Sequence, residues 1–106
     1  MDRNEKIFLT LKDTESILKE LNLILISLHN MGTYYYGKSK QAYEVETTDF
    51  VDKNAITARL AYIRRIISEV YYSNISKEQY DEYCSDMEKL NYWEKPGDFL
   101  PYFEER

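Results

Sequence analysis

The first proline in this 106-residue chain is Pro96. Everything before it is free of the ring that fixes φ and removes a backbone N–H, so nothing forbids an i→i−4 hydrogen-bond ladder. With only three glycines in the whole sequence, most of the chain is open to regular structure. The feature favours long helices.

The apolar spacing agrees. Leu11, Thr14, Leu18, Leu21, Leu25 and Leu28 alternate gaps of three and four, with Ile17 and Ile24 beside them, which is a helical seam. The reading is a helix over about 3–31, most deeply buried around Leu21–Leu28. That run is also rich in β formers, but the helical spacing begins ten residues earlier and decides the matter. Asn30, Met31 and Gly32 read as the stop, which puts His29 in the last turn.

A second helix is expected over about 49–72. Thr48 or Asp49 would cap it, and Ile56, Leu60, Ile63, Ile67 and Val70 would form its buried stripe. Ala55, Tyr62 and Ile66 widen that stripe, while Arg59, Arg64 and Arg65 fall off it, toward water or a partner. A third helix is expected over about 76–90. Ser76 and Gln79 match a capping box, and Ile75 with Tyr80 matches a hydrophobic staple across it. The tail, 91–106, holds Tyr92, Trp93, Phe99, Leu100, Tyr102 and Phe103, and this aromatic content argues that it packs back on the helices.

The expected fold is all-α: a small antiparallel three-helix bundle in one domain over 1–106. Between the first two helices, 32–48 reads as a Tyr-rich connection, with room at 33–48 for a fourth short helix or a short extended piece at Tyr43–Thr47. A chain of this size buries roughly 65% of its unfolded surface, enough for a core without metal or disulfide. The single cysteine, Cys84, can neither staple the fold nor build a zinc site. The first six residues carry charges of both signs and no signal-peptide apolar core follows, and no apolar run approaches the ~20 residues of a membrane span. A cytoplasmic protein with no membrane partner is the expectation.

The net charge of −5 is regional. Met1–Ser73 balances at ten acidic and ten basic residues, whereas Asn74–Arg106 has nine acidic and four basic. Such a surface repels phosphate backbones and attracts basic proteins, so no direct nucleic-acid binding is expected.

One sharp motif is present. Gly32-Thr-Tyr-Tyr-Tyr-Gly37-Lys38-Ser39 matches the phosphate-binding GxxxxGKS pattern, in which backbone N–H groups wrap a phosphate, the lysine reaches outer phosphates and the serine holds magnesium. That chemistry needs a strand before the loop, a helix after it and a parallel sheet around it. Lys40–Thr47 looks like a poor helix start, and three tyrosines crowd a loop that must close on an anion. Nucleotide binding at Gly32, Gly37, Lys38 and Ser39 is therefore a minor alternative, and neither cofactor nor metal is expected.

Catalytic groups are sparse. His29 is the sole histidine, and the only Cys–His combination, His29 with Cys84, is expected on two different helices with Cys84 facing inward. No enzymatic activity is expected. The eleven tyrosines say more. Tyr62, Tyr80 and Tyr83 suit core edges. Tyr34, Tyr35, Tyr36 and Tyr43 cannot all face one core, so some must be exposed, where tyrosine serves interfaces well. Glu44, Glu46 and Asp49 follow close behind, with Asp52 next and Asp81, Glu82, Asp86 and Glu88 on the outer face of the last helix. Tyrosine anchors beside carboxylates suit a basic target. The leading expectation is a non-enzymatic binding inhibitor of a basic, nucleic-acid-handling protein, bound through Tyr34, Tyr35, Tyr36, Tyr43, Glu44, Glu46 and Asp49 with support from Asp81, Glu82 and Asp86. Immunity proteins, antitoxins and phage anti-defence proteins share this compositional profile. The second expectation is an assembly subunit that forms a helical homo-oligomer; the chain itself would be monomer or homodimer.

Overall fold

The computed structural model describes residues 5–98. Among them every regular element is helical: α1 spans Leu11–Tyr35, α2 Lys40–Lys53, α3 Ile56–Ser73 and α4 Lys77–Glu88. The described residues fall into two compact units, the first running to Asn74 and the second beginning at Ile75.

In the first unit α1, α2 and α3 pack against one another, a small helical bundle. The all-α expectation holds, but the third member of the packed trio comes from the segment read as a connection. Residues 40–53 form a fourteen-residue helix, not an extended piece and not a short turn. Its start is set by Ser39, whose hydroxyl accepts from Ala42 N–H at 3.1 Å, the ordinary device for satisfying a first-turn amide. Thr48 and Asp49 consequently lie inside α2 and cap nothing. The next helix starts at Ile56 after Ala55, which sits in the left-handed region (φ 51°) with no side-chain cap.

Both ends of α1 differ from the expected 3–31. Thr10 accepts from Asp13 N–H at 3.0 Å and starts the helix at Leu11. Gly32 does not stop it. The helix continues three residues to Tyr35, and the left-handed residue is Gly37 (φ 74°). A helical glycine costs about 1 kcal/mol relative to alanine. Ring contacts offset that cost here: Tyr34–Tyr35 centroids lie 4.9 Å apart edge to face, and Tyr35–Tyr43 6.2 Å apart, each pair contributing about 0.5–1.5 kcal/mol. His29 therefore lies more than a turn from the helix end.

The core is a set of isoleucines. Ile17, Ile63 and Ile66 form one cluster, with Leu9 and Leu21 partly buried against it, and Ile24 and Ile56 are also buried. The leucine seam splits: Thr14, Leu21 and Leu28 are half-buried on the core side, and the other side is rotated off it. Leu11, Leu18 and Leu25 are 82%, 51% and 61% exposed, and Leu60 and Ile67 of α3 are also exposed. Arg59, expected to face water or a partner, is tied inward instead: Nη1 donates to Glu20 Oε2 of α1 and Nε to the Asn54 carbonyl at the end of α2, each at 2.8 Å.

In the second unit the capping box of α4 forms as expected. Gln79 N–H donates to Ser76 Oγ at 3.1 Å and Ser76 N–H to Gln79 Oε1 at 3.0 Å. After α4, the Tyr92 hydroxyl donates to the Met87 carbonyl at 3.0 Å, and Asp98 Oδ2 accepts from the amides of Glu94 and Lys95. Tyr92 and Trp93 are exposed. The rest of the aromatic tail, Phe99 to Phe103, and the residues before Glu5 lie outside the described residues.

A candidate protein-binding corner between α1 and α2

The Tyr-rich segment folds as a helix–turn–helix corner, and its helical periodicity sorts the expected site residues. Successive residues of a helix turn by about 100°. Glu44 and Glu46, which a strand would place on one side, point about 160° apart. Glu44 meets Lys40 one turn earlier at 3.8 Å on the open surface. Glu46 turns toward α1.

There it lines two adjoining concavities. One, of about 380 Å³, is bounded by Asn30, Met31, Tyr34, Tyr35 and Glu46. The other, of about 360 Å³, is bounded by Ser27, Met31, Glu46, Asp49, Phe50, Lys53 and Asn54. Met31 and Glu46 belong to both, so the two read as one groove along the α1–α2 junction. Its lining mixes Met31, Phe50 and the tyrosine rings with the polar Ser27, Asn30 and Asn54, and its carboxylates are Glu46 and Asp49. Lys53 reaches Asp49 at 3.6 Å and offsets part of that charge.

Four of the seven principal expected residues thus converge: Tyr34, Tyr35, Glu46 and Asp49. Tyr43 joins through its contact with Tyr35. Tyr36 does not converge. It is 89% exposed beyond the end of α1 and borders a separate hollow with His29, Gly32 and Thr33. Asp81, Glu82 and Asp86 belong to α4 in the second unit, where Asp86 meets Lys89 at 3.7 Å. Met31 and Phe50 were missed as groove residues. Their three/four spacing with Tyr34, Tyr35 and Glu46 would have shown them once α2 was read as a helix.

The groove suits a cationic side chain. Tyrosine faces attract cations, and this corner already holds one: Lys38 Nζ lies 3.7 Å from the Tyr34 ring centroid. An arginine or lysine entering beside Glu46 would meet a carboxylate and aromatic edges together. The surface of α3 has the opposite sign. Tyr62, Arg64 and Arg65 border a hollow of about 560 Å³, with the Arg65 guanidinium 5.6 Å over the Tyr62 ring.

The phosphate-loop pattern is spent on other work. Gly32 and Thr33 to Tyr35 are helical, the Ser39 hydroxyl caps α2, and the Lys38 ammonium rests on Tyr34. Leu21–Leu28, the segment that would have to be the preceding strand, is helix. Lys40–Thr47, read as a poor helix start, is in fact a well-capped one.

In α4, Tyr80 lies one turn before Cys84. Their side-chain hydrogen bond, the adjacent thiol charge, slight burial and Asp81 together raise the Tyr80 phenol above its ordinary value. Cys84 is half-buried rather than sealed inside. Among the described residues no group of three or more His, Cys, Asp or Glu side chains could hold a metal ion, and no helix is long and apolar enough to cross a membrane. No protein-family model, curated protein or solved structure matches the chain.

Proposed function

We propose that this chain is a non-enzymatic binding protein that engages, and thereby blocks, a basic, nucleic-acid-handling protein through the α1–α2 corner. The chain would act as an immunity, antitoxin or phage anti-defence protein does, with a toxin, nuclease or defence effector as its basic partner. The observation that carries the proposal is the groove in which Glu46 lies between Met31, Phe50 and the Tyr34–Tyr35 pair. Tyr34, 62% exposed, and Tyr43 flank it as rigid rings that cover area at little entropic cost. The groove takes one basic side chain of the partner as an anchor, and the exposed acids on α2, Glu44 and Asp52, add long-range attraction. Asp81, Glu82 and Asp86 contribute net negative charge to steering.

The test is comparative capture from the native cell followed by mass spectrometry. A partner held by the wild type is lost in Glu46→Lys and kept, with slower association only, in Glu44→Lys, whose side chain leaves the opposite face of α2. Its association rate falls as salt rises. Equal retention by both variants, or a salt-independent rate, overturns the proposal.

A further inference from the structure

The outer side of the leucine seam on α1 has the spacing of a helix-pairing stripe, and the bundle packs on a different face. Leu11, Leu18 and Leu25 recur every seven residues, the repeat by which one helix keeps a seam against another. All three are more than half exposed, and Ile26 beside them is 56% exposed. The buried Ile17 and Ile24 lie about 100° away around the helix. The stripe covers about 21 Å of helix length and is on a different face of α1 from the groove at Met31, Tyr34 and Tyr35.

We infer that this stripe pairs with the same stripe of a second copy of the chain, antiparallel and centred on Leu18. Two features select that occupant. The first is symmetry. The three leucines are evenly spaced about Leu18, so a two-fold axis there sets Leu11 against Leu25 of the second copy, Leu18 against its own equivalent, and Ile26 next to the second copy's Leu11. This is the self-complementary relation an isologous interface requires. The second is charge. Glu15 and Lys19, both exposed, lie on one flank of the stripe. An antiparallel pair brings that flank against itself with the register reversed, so Glu15 of each copy falls within reach of Lys19 of the other, twice by symmetry. A parallel pair would set the flank against the Thr14, Leu21 and Leu28 side, and both ion pairs would be lost. The stripe is short, so the dimer is of the weak, concentration-dependent class.

Cysteine cross-linking of the full chain in a Cys84→Ser background reads both the pairing and its direction. Leu18→Cys links to itself under mild oxidation, because the two-fold axis puts its sulfurs within disulfide reach. Leu11→Cys alone links about tenfold more slowly, and mixing it with Leu25→Cys restores fast linking as a mixed dimer. Sedimentation shows a monomer–dimer equilibrium for the wild type and a monomer for Leu18→Glu, whose helical circular dichroism is unchanged because the site is already half exposed. A wild type that stays monomeric across the accessible range, or Leu11→Cys that links to itself as fast as Leu18→Cys, overturns the inference. Glu46→Lys leaves the dimer intact, so loss of the basic partner and loss of the dimer are separate outcomes.

Discussion

Arg59 donates from Nη1 to Glu20 Oε2 at 2.8 Å, joining α3 to α1. The same guanidinium donates from Nε to the Asn54 carbonyl, so one side chain also holds the end of α2. Arg59→Ala should destabilise the first unit by about 1.5–3 kcal/mol, the range for hydrogen bonds to charged groups. The lower part of that range is expected, because 34% of the Arg59 side chain still meets water. Arg59→Lys should recover little, since an ammonium lacks the fork that reaches both acceptors. Urea denaturation of the two variants measures this.

Gly32 separates the two meanings of the phosphate-loop pattern. It lies inside α1, and a Cβ there would meet nothing within 4 Å. Gly32→Ala should therefore raise stability by about 0.5–1 kcal/mol, through helix propensity and a less flexible unfolded chain. A phosphate cradle, by contrast, would be damaged. Thermal melting checks the sign.

Core and stripe should respond differently to the same truncation. Ile63→Ala removes a residue at the centre of the isoleucine cluster and should cost about 2–5 kcal/mol. Leu11→Ala, at the exposed end of the stripe, should cost about 0.5 kcal/mol or less when measured at concentrations below dimer formation.

The α4 cap should matter locally. Ser76→Ala removes the acceptor for Gln79 N–H and half of the reciprocal box, a loss of about 1 kcal/mol. Hydrogen exchange should speed up at the first-turn amides of Lys77–Gln79 and leave α1 unchanged.

Tyr80 sets a pH signature. Its phenol is raised above 10.0 mainly by the hydrogen bond to Cys84 and the thiol's charge. A raised folded value means that the stabilising neutral form is fully present below pH 10.0 and is lost as pH rises through the folded value. Ultraviolet titration of wild type against Tyr80→Phe should show one tyrosine ionising late. Cys84→Ala should return that step toward the ordinary range.

Much of the architecture was legible before any coordinates. The Pro-free stretch and three/four spacing imply helices because they constrain the local bond ladder, and the Ser76–Gln79 box marks α4 because its bonds span only three residues. What could not be read locally was α2. The pattern Tyr43-Glu44-Val45-Glu46-Thr47 alternates as a strand does, and its apolar side chains gain from a helix only when α1 and α3 lie beside it. The acid cluster was read as one patch for the same reason. Glu44 and Glu46 separate only when the helix turns them apart.

The sequence by itself determined that this chain is helical, where several of its caps lie, and that tyrosines and carboxylates crowd one segment, since each depends on neighbours within a few residues. Only the tertiary structure decided which face of α1 is core. Isoleucines at 17, 24, 63 and 66 fill the bundle interior, and the equally apolar leucines at 11, 18 and 25 are left outside. Local hydrophobicity cannot rank two apolar stripes on one helix. The choice rests on which stripe α2 and α3 can close over, and that is set by the turns at Gly37 and Ala55 that aim those helices.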